Sequence, residues 1–79
     1  MAYNILVVDD EQSIADLVEL YLQNESYHVF KYYHGQDALN SLQKNHYDLA
    51  ILDVMMPDLD GFSLLKEIRK DYFFPVIML

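Results

Sequence analysis

The sequence predicts an α/β domain built on a doubly wound parallel sheet, and three observations carry that expectation. Two continuous apolar runs, Ile5-Leu6-Val7-Val8 and Leu49-Ala50-Ile51-Leu52, read as central strands covered on both faces. Stretches with helical spacing of apolar residues separate the strand-like runs, which is the βαβ signature of a parallel sheet. Each central run also ends in acid, Asp9-Asp10 after the first and Asp53 after the second. Open parallel sheets present their functional groups at that edge, the carboxyl ends of the strands.

The elements follow in order. After Ile5–Val8, the stretch Ser13-Ile14-Ala15-Asp16 is a candidate capping box ahead of Ile14, Leu17, Val18, Tyr21 and Leu22. Asn24-Glu25-Ser26 stops that helix. Residues 27–32 are aromatic and β-branched but interrupted by His28 and Lys31, which suits an edge strand. Gly35 precedes a second helix with Ala38, Leu39 and Leu42 as its apolar stripe. Residues 48–52 form the second central strand, and residues 55–61 a loop punctuated by Pro57 and Gly61. Phe62, Leu65, Ile68 and Tyr72, with Leu64 beside them, mark a third helix, and Pro75 opens a last strand, Val76 to Leu79. The order is βαβαβαβ, with right-handed crossovers.

Composition bounds the class. The 79 residues are 53% hydrophobic and 14% aromatic, so the chain forms a core and is not a disordered tail. A net charge of -8 argues against this segment gripping nucleic acid or anionic lipid by itself. Cysteine is absent, which removes disulfides and thiolate zinc sites and agrees with a reducing compartment. No signal peptide or membrane-length run is visible, so a cytoplasmic location without membrane contact is expected.

Neighbouring strands lie about 4.8 Å apart, so Asp9, Asp10 and Asp53 at one sheet edge repel unless a cation or shared proton relieves them. The arrangement reads as a small divalent-metal site beside a nucleophilic or metal-binding aspartate. Other chemistries fare worse. With Gly61 at the sixth position of a calcium loop, Asp58, Asp60 and Glu67 take suitable places, but Met56 stands where the first carboxylate belongs. Asp58 and Asp60 are better read as loop acids near a helix start. The only glycines, Gly35 and Gly61, make neither a dinucleotide nor a Walker-A loop. His28, His34 and His46 lack metal-ligand spacing, and the aromatic cluster Tyr27, Phe30, Tyr32 and Tyr33 reads as edge-strand packing.

Residues 5–11, Ile-Leu-Val-Val-Asp-Asp-Glu, and the segment Leu52-Asp53-Val54-Met55-Met56-Pro57-Asp58-Leu59-Asp60-Gly61 together resemble the receiver domain of bacterial two-component response regulators. The similarity is greatest to the winged-helix transcriptional class. It implies a flavodoxin-like fold with strand order 2-1-3-4-5, a regulatory domain rather than an enzyme in its own right. It also implies that Asp53 accepts a phosphoryl group from the phosphohistidine of a sensor histidine kinase. Mg²⁺ would be held by Asp9, Asp10, Asp53 and the backbone carbonyl of Met55. DNA would be reached only through an output domain outside these residues.

Family receivers also use a Ser or Thr after the fourth strand and a Lys at the end of a fifth, and the sequence stops at Leu79 before both. The expectation is therefore that residues 1–79 are the amino-terminal part of a receiver. The alternative is a unit without signalling competence that self-associates as a homodimer, swapped or paired along the open edge of its last strand.

Overall fold

The computed structural model describes residues 2–79. Its elements are β1 (Asn4–Val8), α1 (Gln12–Asn24), β2 (His28–Tyr32), α2 (Gly35–Ser41), β3 (Leu49–Leu52), α3 (Gly61–Ile68) and β4 (Val76–Met78). All strand pairs are parallel, and the order across the sheet is β2-β1-β3-β4. The βαβαβαβ expectation holds, with β1 and β3 central and β2 at an edge.

Side chains alternate across a parallel strand, so each strand feeds both faces. Leu6, Val8, Ala50 and Leu52 meet Ala38 of α2, Leu42 at its C-cap, and Leu64 and Ile68 from α3 in one buried cluster. Ile5, Val7, Leu49 and Ile51 therefore face the other way, toward the side on which α1 buries Ala15. Tyr47 closes the base of the larger cluster. Ser41 Oγ donates to the Ala38 carbonyl at 2.6 Å and lies 2.7 Å from the Tyr47 hydroxyl. With the serine proton already placed, Tyr47 donates to Ser41, and Asn45 Nδ2 donates to Tyr47 at 3.2 Å. No buried side-chain polar atom among the described residues lacks a partner.

Three helix details depart from the sequence reading. α1 starts before Ser13, with Glu11 as its N-cap residue and no side-chain cap of its own, so the capping box does not form. Asp9 supplies the missing acceptor from outside the helix, taking the Glu11 N–H at 2.9 Å. In α3 the buried stripe is Gly61, Leu64 and Ile68, while Phe62 is exposed and Tyr72 lies beyond the helix. Asp60 caps that helix, accepting from Ser63 N at 2.8 Å, and the cap sets which residues turn inward. α1 buries only Ala15 and leaves Ile14, Leu17 and Tyr21 exposed.

The stop of α1 is as expected, and its physical form is specific. Tyr27 N donates to Leu22 O and Ser26 N to Gln23 O, a Schellman closure that needs a left-handed residue. Ser26 takes that conformation with φ 69°, a strain of about 1 kcal/mol for a side chain that is not glycine. On the flank of α1 toward β2, Lys31 Nζ donates to Asp16 at 2.7 Å and Glu19 at 2.8 Å. Its ammonium pKa is raised well above the ordinary lysine range, Asp16 being the larger cause.

Leu64 is fully buried between α3 and the sheet. Leu64→Ala should lower unfolding free energy by about 2–5 kcal/mol, whereas Phe73→Ser at an exposed position should change it by less than about 0.5 kcal/mol. Urea denaturation of both variants checks the assignment of the core.

Candidate functional site

The site is built from the ends of the two central strands. Val8 and Leu52 are register partners, so the next residues of β1 and β3 leave the sheet side by side. Asp53 N donates to Val8 O at 2.9 Å and Asp9 N to Tyr32 O at 3.2 Å, which fixes both backbones where they emerge. Carboxylate oxygens of Asp9, Asp10 and Asp53 all lie within 4.8 Å of one another. Asp9 is buried, Asp53 half-buried and Asp10 exposed.

The carboxylates are oriented by the chain that follows them. Asp9 Oδ1 is tied to the Glu11 N–H, and Asp53 Oδ1 accepts the Met55 N–H at 3.1 Å. Met55, itself 81% exposed, lines the same cleft as the three acids, with Glu11, Ile14 and Leu79 completing its walls. Burial pushes the Asp9 carboxyl above its ordinary pKa. The Glu11 N–H opposes that shift, and the charges of Asp53 and Asp10 add to it.

A cluster in which one carboxyl resists ionisation and two more crowd it is suited to a hard cation. Oxygen ligands of this spacing and charge fit a small divalent ion such as Mg²⁺, which keeps several waters and takes few protein carboxylates. Among the described residues this is the only grouping of its kind.

The calcium-loop alternative does not survive the geometry. Asp60 turns its carboxylate onto α3, taking the Ser63 N–H and the Ser63 hydroxyl at 3.1 Å, and the Ser63 N–H holds its pKa below the usual carboxylate range. Glu67 pairs instead with Lys70 at 2.8 Å. The histidines lie elsewhere: His28 stacks obliquely on Phe30, and His46 Nε2 is 3.2 Å from Asp48.

Gly61 belongs to the site more closely than its place in the loop indicates. Its N–H donates to Val54 O at 3.0 Å, closing the loop that follows the acid. A Cβ at this position would overlap the Asp53 carbonyl oxygen and come within 2.8 Å of Met78 Cε. The sequence marks Gly61 as one of two glycines but gives no sign of this contact. Leu79 was equally hidden: its N–H donates to Leu52 O, and its carbonyl accepts the Val54 N–H.

With fold and geometry in place, the comparisons with known proteins converge. The family model described as "Response regulator receiver domain" matches residues 5–79. The chain belongs to that family. It is 56% identical to the "Regulatory protein VanRc" of Enterococcus gallinarum over 79 residues, covering 100% of this chain and 34% of the relative. It thus spans about a third of the length of the curated relatives it matches. Among solved structures, the Vibrio cholerae chemotaxis protein CheY4 superposes with a TM-score of 0.95 at 37% identity, covering 99% of this chain and 68% of the other. The Thermotoga maritima response regulator TrrA, solved in complex with Mg²⁺-BeF, gives a TM-score of 0.82 at 43% identity, covering 86% and 59%.

The raised pKa of Asp9 has a testable consequence for the metal-free protein. Below the carboxylate range Asp9 is protonated both folded and unfolded and costs nothing. As pH rises through the unfolded and then the folded value, the folded chain loses stability. Asp9→Asn removes that loss while keeping an acceptor for Glu11. With chelator present it should be more stable than wild type at pH near 7, an advantage that fades as pH falls through the carboxylate range. Urea denaturation at both pH values checks the sign.

Proposed function

We propose that this chain is a phosphoacceptor in which Asp53 takes a phosphoryl group from the phosphohistidine of a sensor histidine kinase. The observation that carries the reading is the convergence of Asp9, Asp10 and Asp53 at the carboxyl edge of the sheet. Mg²⁺ would be held by Asp9, Asp10, Asp53 and the backbone carbonyl of Met55. When bound, it neutralises charge on the phosphoryl oxygens and on the acids that would otherwise repel them.

The chain's own residues supply position. A carboxylate oxygen of Asp53 attacks phosphorus in line, the bond to the histidine nitrogen breaks, and an acyl phosphate forms on Asp53. Its rotation is restrained by the Met55 N–H, and its backbone by Val8 O, so the nucleophile is aimed before the donor arrives. The product is a mixed anhydride, which hydrolyses readily and suits a reversible signal. The role is regulatory, consistent with membership of the receiver family. By extension from the regulatory protein it resembles, the signal would control a DNA-binding output domain in the cytoplasm. No helix among the described residues is long and apolar enough to cross a membrane.

Two measurements test this reading. Asp9→Asn with Asp10→Asn should weaken Mg²⁺ binding at least about tenfold, or 1.4 kcal/mol. Equal affinity in calorimetric titrations of wild type and double variant would remove the metal assignment. Separately, the intact regulator that contains this chain should take phosphoryl label from its histidine kinase in the presence of Mg²⁺, and its Asp53→Asn variant should not. Undiminished label in that variant, with circular dichroism unchanged, would place the acceptor elsewhere.

A further inference from the structure

The chain has two glycines, Gly35 and Gly61, and each stands at the first position of a helix, α2 and α3 respectively. Neither has a positive φ, so neither serves the left-handed backbone that other residues avoid. Alanine is the better helix former, so helix propensity does not call for glycine at either place. What remains is the absent side chain. Both glycines are buried, and both lie against the same stretch of chain, from Asp53 through the loop that follows β3.

Gly61 passes under the Asp53 carbonyl, and Gly35 meets the loop at Leu59. A Cβ on Gly35 would stand 2.9 Å from the Leu59 carbonyl oxygen, 3.1 Å from its Cβ and 3.3 Å from its Cδ2. The nearest of these is a backbone atom, which cannot swing aside as the end of a side chain can. Neither partner is free to retreat. Leu59 packs against the core cluster, and Ala38, one turn into α2, is fully buried.

The chain between the two glycine contacts has little slack. Leu59 is followed by Asp60, whose carboxylate is held by the Ser63 N–H at 2.8 Å, and then by Gly61. The Gly61 N–H is bonded to Val54 O at 3.0 Å, and the helix start has no spare room beneath Asp53. On the other side of Leu59, Met56 is buried in the core and Pro57 restricts the backbone. A push at Leu59 therefore passes to Gly61 two residues later, and from Gly61 to the Asp53 carbonyl.

We propose that Gly35 is a positioning residue for the acid site. Its bare Cα lets α2 start against Leu59, and that contact sets the depth of the loop and the place of the Asp53 backbone. The consequence for Mg²⁺ rests on the assignment of the metal to Asp9, Asp10 and Asp53; the placement of Asp53 does not. Were Gly35 a packing residue alone, a Cβ there would lower stability and leave Asp53 where it is.

The test uses the intact regulator that contains this chain, as Gly35→Ala and, for control, Gln36→Ala. Gln36 is exposed and reaches Asn40 on the next turn, away from the loop. In metal-free ¹⁵N spectra the Asp53 amide should move in Gly35→Ala and stay in Gln36→Ala, with circular dichroism unchanged in both. Calorimetric titration should show Gly35→Ala binding Mg²⁺ roughly tenfold more weakly, the low end of what losing an outer support costs a metal site. Gln36→Ala should bind as wild type does. An unmoved Asp53 amide overturns the proposal. So does a Gly35→Ala chain that no longer folds, because the contact would then hold the domain together and not the site. Where Asp9→Asn with Asp10→Asn has lost Mg²⁺ affinity, undiminished affinity in Gly35→Ala overturns it too and leaves the metal assignment standing. Failure of the metal assignment looks different: the double variant binds Mg²⁺ as tightly as wild type, while the Asp53 amide still moves in Gly35→Ala and supports the placement.

Discussion

The pairing of β1 with β3 is the constraint on which the rest of the molecule depends. Both strands are covered on both faces along much of their length, and their register sets Val8 opposite Leu52. A one-residue slip would send every side chain of a strand to the other face. Burying one large aliphatic side chain contributes about 1.5–3 kcal/mol, and several would be misplaced together. Two carboxylates about 4 Å apart repel by only ~1–4 kcal/mol at effective dielectric constants between water and a protein surface. Apolar burial therefore overrules the electrostatic cost, and Asp9 is held beside Asp53 although neither gains from the company. The acids are crowded because the core leaves them no alternative.

The loop after β3 extends that constraint to the third wall of the cleft. Its first residues are pinned to Leu79 by the Val54 N–H and to Asp53 by the Met55 N–H, and its end returns through the Gly61 N–H to Val54 O. Gly61 is where the start of α3 passes under the Asp53 carbonyl, a space that admits no side chain. Any residue with a Cβ must push the helix start or the Asp53 backbone. The position of Asp53 is thus fixed through the strand on one side and the loop on the other.

Much of this was legible in the sequence, and the exceptions have physical reasons. The central strands stood out because strands buried on both faces need continuous apolar runs, and the acids that end them drew attention to the edge. The start of α1 is hidden from local pattern because the N–H of its N-cap residue, Glu11, is satisfied by Asp9, which belongs to the end of the preceding strand. In α3 the pattern marks Ile68 correctly but does not separate buried Leu64 from exposed Phe62, which are equally apolar, because the Asp60 cap sets how the first turn is oriented. The Ser41–Tyr47–Asn45 cluster and the backbone partnership of Leu79 with Leu52 and Val54 rest on folded geometry that side-chain pattern does not encode.

The two faces of the sheet are unequal, and the inequality bears on how the site is held. On the face covered by α2 and α3, Leu6, Val8, Ala50 and Leu52 are sealed, so β1 and β3 are anchored from that side. On the other face α1 secures Ile5 and Val7, while Ile51 and Ile77 lie beside open space. Asp53, at the end of β3, draws its rigidity from the sealed face and from β1. That face meets the cleft only at its rim, where Ile14 and Leu79 line the same walls as the three acids.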